Sequence, residues 1–281
     1  MSDRTTVEEV AQRAVTGDRE ALDALVRAVQ PDIYALALRM LWNREDAEDA
    51  TQEILVRVVT QLSSFNFRSR LKTWVYRVAV NHLLDGKRSA VERMNLNFVR
   101  LSEDLAEGLA SDGPGENERS ILIEEVKIGC TLAMLQCLDR PHRLAYILGE
   151  ILDLPGAEAA EALGVDPGVL RKRLERARKA ILAFTRSYCG LVSDDAACRC
   201  NRRVAAAVRL GRARPDALEF ADRVVSFEEV RTAVRRAGEA RRALEVHRIS
   251  RPRESSVELT RRIVAAIKVS GCSPGQLVGP A

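Results

Sequence analysis

The side chains best placed to do chemistry are cations on a helical spacing, and the chemistry they suit is recognition of a polyanion. In GAEAAEALGVDPGVLRKRLERARKAI, residues 157–182, Leu170, Leu174, Ala177 and Ile181 fall in one stripe about 60° wide on a 3.6-residue repeat. Lys172, Arg176 and Lys179 stand opposite, flanked by Val169 and Arg173, with Arg171 beside them. A short Ala-rich helix and a tight turn at Gly164-Val165-Asp166 come first. An apolar seam backed onto a core, with a cationic face turned outward, is the layout of a helix-turn-helix whose second helix enters a DNA major groove. A solvated face on an ordinary helix hairpin carries the same charges; the compact turn between the two helices favours DNA.

A second polar row lies upstream. Arg70, Arg77, Asn81 and Arg88 share a narrow stripe, with Trp74 at its edge, on a segment otherwise apolar at Leu71, Val75, Val78, Val80 and Leu83. Arg contacts phosphates or guanine edges and Asn can read bases. An aromatic beside such a row can stack on an unpaired base, although Trp74 reads equally well as a core aromatic. The preceding loop adds Phe65, Phe67, Arg68 and Lys72. Before it, residues 46–62 divide into an apolar side (Ala47, Ile54, Leu55, Val58) and an acidic side of Asp46, Asp49 and Glu53, with Gln52 alongside. A rigid acidic face suits docking to a basic protein surface; acids in a first helical turn also simply complement the helix dipole.

Cysteine supplies the third group. Cys189, Cys198 and Cys200 lie within twelve positions, and soft thiolates of this kind can bind zinc or copper(I). A structural zinc site wants four ligands, and Cys272 or His247 would have to complete it from far along the chain. A redox pair between Cys189 and Cys198 or Cys200 is one rival reading; structurally inert thiols are the other, and no cofactor is required. Cys130 and Cys137 sit in an apolar helical pattern and read as small buried hydrophobes. A thiol enzyme built on Cys198-Arg199-Cys200 finds little support: the chain has 3 His, and no nucleophile–base pattern or phosphate-binding Gly loop. These features describe a binding protein without catalysis.

The elements that must hold these groups are helical. Aromatics make up 4% of 281 residues and strand-like alternation is nearly absent, which predicts an all-α protein with room for two domains and a small third. Net charge is +4, but residues 189–281 hold 18 Lys+Arg against 11 Asp+Glu, so the basic excess is concentrated in that tail. Residues 7–90 predict a helical bundle, with breaks at Gly17-Asp18 and at Pro31. Residues 91–119 lose periodicity and contain SDGPG, a flexible linker. Residues 120–187 predict the helix-turn-helix domain, with Asp139 as a cap. Residues 188–281 form a helical C-terminal extension, with helices near 202–212, 227–247 and 256–269. Its weak apolar faces and its position suggest a regulatory module that masks the helix-turn-helix. The opening MSDRTTVEEV is polar, unlike a secretory signal, and no apolar run approaches the roughly 20 residues of a bilayer span. The expectation is a cytoplasmic protein with no membrane partner.

Two of these blocks together resemble a known family. DAEDATQEILVRVVTQLSSFNFRSRLKTWVYRVAVNHLLDGKR resembles region 2 of bacterial sigma-70 family factors of the extracytoplasmic-function (ECF) type. GVDPGVLRKRLERARKAI looks like the end of region 4, whose usual form is G-x-P-x-G-T-V-x-S-R-L-x-R-A-R. The resemblance covers roughly residues 7–187 and implies a transcription initiation factor that binds core RNA polymerase and promoter DNA, with an anti-sigma factor as a further candidate partner. It implies that Asp46, Asp49, Gln52 and Glu53 dock on the polymerase. It implies that Phe67 to Arg88 recognise and melt the minus-ten element, and that the second helix of the helix-turn-helix reads the minus-thirty-five element. Val169-Leu170 and Lys172 replace the family's Thr-Val and Ser, so promoter preference does not carry over. A stand-alone helix-turn-helix regulator with a metal- or redox-responsive tail is the alternative; it needs neither the acidic face nor the aromatic–Arg loop.

Overall fold

A computed structural model describes residues 6–86, 90–107, 120–224 and 227–269. The first unit is built from α1 (Val7–Val15), α2 (Arg19–Leu41), α3 (Arg44–Gln61) and α4 (Leu71–Asp85). Its boundaries follow from local chemistry. Thr6 and Glu9 form a capping box, Gly17 turns the chain at φ +94°, and Asp18 accepts the N–H groups of Glu20 and Ala21, each at 3.0 Å. Pro31 does not break the pattern as the sequence predicts: α2 runs straight through it. The proline costs one internal hydrogen bond, but Val29, Ile33, Tyr34 and Leu36 around it are buried, and packing outweighs that loss.

The second unit comprises α7 (Ser120–Gln136), α8 (Arg140–Tyr146), α9 (Gly156–Ala162) and α10 (Pro167–Tyr188), with α8 continuing into a π-helical turn, Ile147–Ile151. Asp139 caps α8 by accepting the His142 N–H at 2.9 Å, as its position suggested. The stretch between the units is not uniformly loose. It carries α5 (Ala90–Arg93) and α6 (Phe98–Ala106), the latter capped by Asn97. Leu101 and Leu105 of α6 pack with Ala133, Met134 and Phe184. The SDGPG segment lies outside the described residues.

The two units abut and share one apolar core that runs from Leu25 and Ile54 to Leu148 and Ile181. Arg143, only 3% exposed, donates to the carbonyls of Met40 (2.6 Å), Leu135 (2.9 Å) and Leu138 (3.0 Å) and pairs with Glu92 at 3.1 Å. Arg140 donates to the carbonyls of Leu84 (3.0 Å) and Gly86 (2.7 Å) and pairs with Glu92 at 2.6 Å.

The extension folds as α11 (Cys200–Arg209), α12 (Phe227–Arg236), α13 (Arg242–Ile249) and α14 (Val257–Val269). The long helix expected over 227–247 is divided near Gly238. Val230, Val234 and Val246 close a small cluster with Leu191 and Val192, a stronger face than the sequence suggested. The extension grips both units. The Glu125 carboxylate on α7 accepts the N–H groups of Glu219 (2.8 Å), Phe220 (2.9 Å) and Ala221 (2.7 Å). Arg248 donates to the Glu150 carbonyl at 2.6 Å and pairs with Asp153 at 2.9 Å. On the other side Gln30 donates to Ser255 at 3.1 Å, and Leu259, Ile263 and Val264 of α14 join the common core.

His247 of α13 gives this arrangement a pH signature. It is 3% exposed, lies edge-on to Tyr146 at 5.6 Å between ring centres, and its Nε2 has no hydrogen-bond partner among the described residues. Burial, reinforced by the Arg39 charge, holds its pKa down at about 3. The unfolded imidazole takes its proton near 6.5, so below that pH the unfolded chain binds a proton that the native one refuses. This contribution to stability is intact above about pH 6.5 and is lost, by about 1 kcal/mol per pH unit, as pH falls toward 3. Urea unfolding of His247→Phe between pH 6 and 5 should show a slope shallower by that amount; equal slopes in the two proteins would refute the assignment.

Candidate nucleic-acid interface

The helix-turn-helix forms as its sequence implied. Gly164 adopts φ +61° in the turn, and Asp166 caps α10 by accepting the Gly168 N–H at 2.6 Å. Leu170, Leu174, Ala177 and Ile181 are buried. Val169, Arg171, Lys172, Arg176 and Lys179 are exposed along the opposite face, with Arg173 partly covered. Gly149 lets the π-helical turn approach α10, since a Cβ there would stand 3.0 Å from the Leu174 side chain. The extension clasps the far half of α10, where Arg186 pairs with Glu239 at 2.9 Å, and leaves the N-terminal cationic face open. Masking of this face by the extension, expected from its position in the sequence, does not occur among the described residues.

The loop before α4 presents an aromatic platform. Phe65 is buried, and its ring lies 4.5 Å from Phe67 and 5.3 Å from Trp74, centre to centre. Trp74 therefore serves partly as core, half-buried against Phe65. Phe67 is 40% exposed and sits at φ +58°, a left-handed conformation that costs a bulky residue free energy and holds its ring outward. Arg68 N–H closes a local turn on Asn66 at 3.1 Å. Arg77 and Asn81 are exposed on one face of α4, and Arg88 lies outside the described residues.

Two cations in this row already have partners, which the sequence did not reveal. Lys72 reaches Asp32 of α2 at 2.8 Å and lies over the Tyr76 ring at 5.7 Å, so it ties two helices together. Arg70 pairs with Glu158 of α9 at 3.4 Å, and Thr73 donates to the same carboxylate at 3.1 Å. Glu158 reads in the sequence as an ordinary first-turn acid, and nothing in its spacing points to a residue 85 or more positions away.

The acidic face on α3 is as expected: Asp46, Asp49 and Glu53 are exposed and Gln52 is partly covered. Asp46 N–H is held by the Asn43 cap at 2.8 Å, and Glu53 lies 3.8 Å from His82 of α4.

The segments carrying the cysteines meet: Cys189 and Cys198 form an isolated β-bridge, with the Gly190 N–H donating to the Cys198 carbonyl at 3.0 Å. Cys189 and Cys200 pack against the Leu191–Val192–Val230 cluster, whereas Cys198 packs against the Leu101–Met134–Phe184 cluster. Among the described residues, no group of three or more His, Cys, Asp or Glu side chains is arranged to hold a metal ion. Burial raises all three thiols, Cys198 to about 11, which keeps them protonated in the metal-free chain. Of the proposed completing ligands, His247 is buried beside Tyr146, and Cys272 lies outside the described residues.

Comparison with known proteins gives this geometry a context. The model for sigma-70 region 2 matches residues 25–93, and that for sigma-70 region 4 matches residues 128–181. The probable RNA polymerase sigma-C factor of Mycobacterium bovis is 30% identical over 182 residues, 65% of this chain and 92% of that protein. ECF sigma factor SigW of Bacillus subtilis is 29% identical, over 59% of this chain and 89% of its own length. ECF sigma factor SigE of Mycolicibacterium smegmatis is 32% identical, and the match spans 63% of its length. The solved structure of CnrH in complex with the cytosolic domain of CnrY covers 62% of this chain and 93% of that chain, at 22% identity and a TM-score of 0.42. Helices α3 and α4 fall within the region 2 match and α8 to α10 begin within the region 4 match, so the chain belongs to the sigma-70 family of RNA polymerase sigma factors, in its ECF group.

Proposed function

We propose that this sigma factor divides promoter recognition among three surfaces, and that the free chain holds two of its DNA-binding elements together. The acidic face of α3 docks on core polymerase. The Phe67 platform with Arg68, Arg70, Arg77 and Asn81 captures the minus-ten strand, and Val169, Arg171, Lys172, Arg173, Arg176 and Lys179 read the upstream duplex. The observation that carries this reading is the exposure of Asp49 and Glu53, of Phe67, Arg77 and Asn81, and of Arg171, Lys172 and Arg176 on three separate elements. A stand-alone repressor has no use for the first two. The site of action is the cytoplasm, where its polymerase works. The chain adds no catalysis, since the chemistry belongs to the polymerase. An anti-sigma factor is a natural inhibitor for such surfaces.

The contact between α4 and α9 bears on the mechanism. We infer that α4 and α9 part on promoter binding, with Glu158 holding them together in the free chain.

Four outcomes test this reading. With core polymerase and a promoter library, the chain should initiate at sites that share two spaced elements. Asp49→Arg with Glu53→Arg should abolish co-elution with core polymerase while circular dichroism stays unchanged; retained co-elution would remove the docking role. Phe67→Ala should weaken binding to single-stranded minus-ten DNA by about 1–3 kcal/mol and leave upstream duplex binding intact, whereas a parallel loss on both DNAs would show general misfolding. Glu158→Ala should raise initiation about two- to fivefold at limiting sigma, as expected from weakening one exposed ion pair. Lower initiation in that variant would mean Glu158 serves DNA binding instead.

A further inference from the structure

A partly open pocket of about 350 Å³ lies beneath the extension, between α6, α7 and the segment around Phe220. Its volume falls within the range of small-molecule sites. Its walls are apolar: Leu101 and Leu105 from α6, Ala133 from α7, Trp42 and Phe220. Cys130, Cys198 and Cys200 also line it, and because burial keeps these thiols neutral they act as further apolar wall.

The charges at its margin are unbalanced. Arg100, Arg203 and Arg212 face two carboxylates, Asp104 and Glu125. Asp104 is shared by Arg203, at 3.1 Å, and Arg212. Both oxygens of Glu125 are taken up by the N–H groups of residues 219–221. Arg100 is exposed, donates to the Met94 carbonyl at 2.9 Å, and has no acidic partner among the described residues. The margin therefore offers a guanidinium with spare donors beside a greasy chamber, with net positive charge around it.

We propose that this cavity binds a small amphipathic carboxylate, with its head on Arg100 and its acyl or aryl body against Leu101, Leu105 and Phe220. The walls come from Trp42 at the end of α2, the linker helix, the region 4 unit and the extension, so the site is complete only while the extension is docked. A ligand there stabilises the docked state by mass action, and it makes the extension responsive to a metabolite of this chemistry. The inference stands apart from the promoter reading because it concerns the chain alone.

Calorimetry on the full chain with decanoate, below its micelle concentration, tests it. Anilinonaphthalene sulfonate, an anion of the same build, serves as a fluorescent reporter for displacement. The expected result is one saturable equivalent of decanoate, at least tenfold tighter than decylamine, that displaces the reporter and raises the melting temperature. Arg100→Gln, a change on the surface, should weaken decanoate at least tenfold with the circular dichroism unchanged. Ala133→Phe, which fills the chamber, should abolish binding of decanoate and reporter alike. No saturable binding, equal binding of decylamine, or unchanged affinity in Arg100→Gln would each overturn the proposal. If Ala133→Phe fails to fold, the amine comparison and Arg100→Gln still decide it.

Discussion

Two guanidinium groups on α8 end the helices of the first bundle, and the relative placement of everything else depends on them. A helix leaves its last four carbonyls without internal partners, and those groups carry the negative end of its dipole. Arg143 meets this need at Met40, the end of α2, and Arg140 meets it at Leu84 and Gly86, the end of α4. Both also pair with Glu92 of α5, so the segment between the units is drawn into the same joint. A buried guanidinium is stable only where its donors are spoken for. Arg143 thus has one permissible position, and it fixes the angle between the region 2 and region 4 units.

In the proposed mechanism this joint is also what promoter binding undoes. Core polymerase can separate the units only to the extent that it binds the open form better than the closed one. On opening, the carbonyls of Met40, Leu84 and Gly86 pass to water or to polymerase, and Glu158 releases Arg70 and Thr73. The extension adds to the barrier because it contacts both units, through Glu125 and Arg248 on one side and Gln30 and α14 on the other. Its location accounts for an otherwise odd combination, a basic segment attached to a DNA-binding domain whose reading face it leaves free.

Much of this was legible in the chain because it is written locally. The stripe of Leu170, Leu174, Ala177 and Ile181, the caps at Asp18 and Asp139, and the acidic row on α3 each depend on neighbours within one or two turns. What escaped was tertiary. Pro31 is tolerated because surrounding burial outweighs one lost hydrogen bond. Helix α6 could have been found from Phe98, Leu101 and Leu105, which are spaced for one helical face behind the Asn97 cap. No spacing rule, by contrast, would place Glu158 on Arg70 or Asp32 on Lys72. The cysteine segments meet in space through the Cys189–Cys198 β-bridge, while their side chains pack into two apolar clusters.

The fastening at Glu125 has an evolutionary corollary. Its carboxylate holds main-chain amides at Glu219, Phe220 and Ala221, not side chains. For the clasp itself the one barred residue is proline, which has no amide hydrogen; the side chains are held for other reasons, since Glu219 accepts the Arg44 N–H at 3.2 Å and Ala221 is buried in the common core. Selection on the clasp alone would register there as a forbidden letter instead of a preferred one, a signature that conservation of side-chain identity would miss.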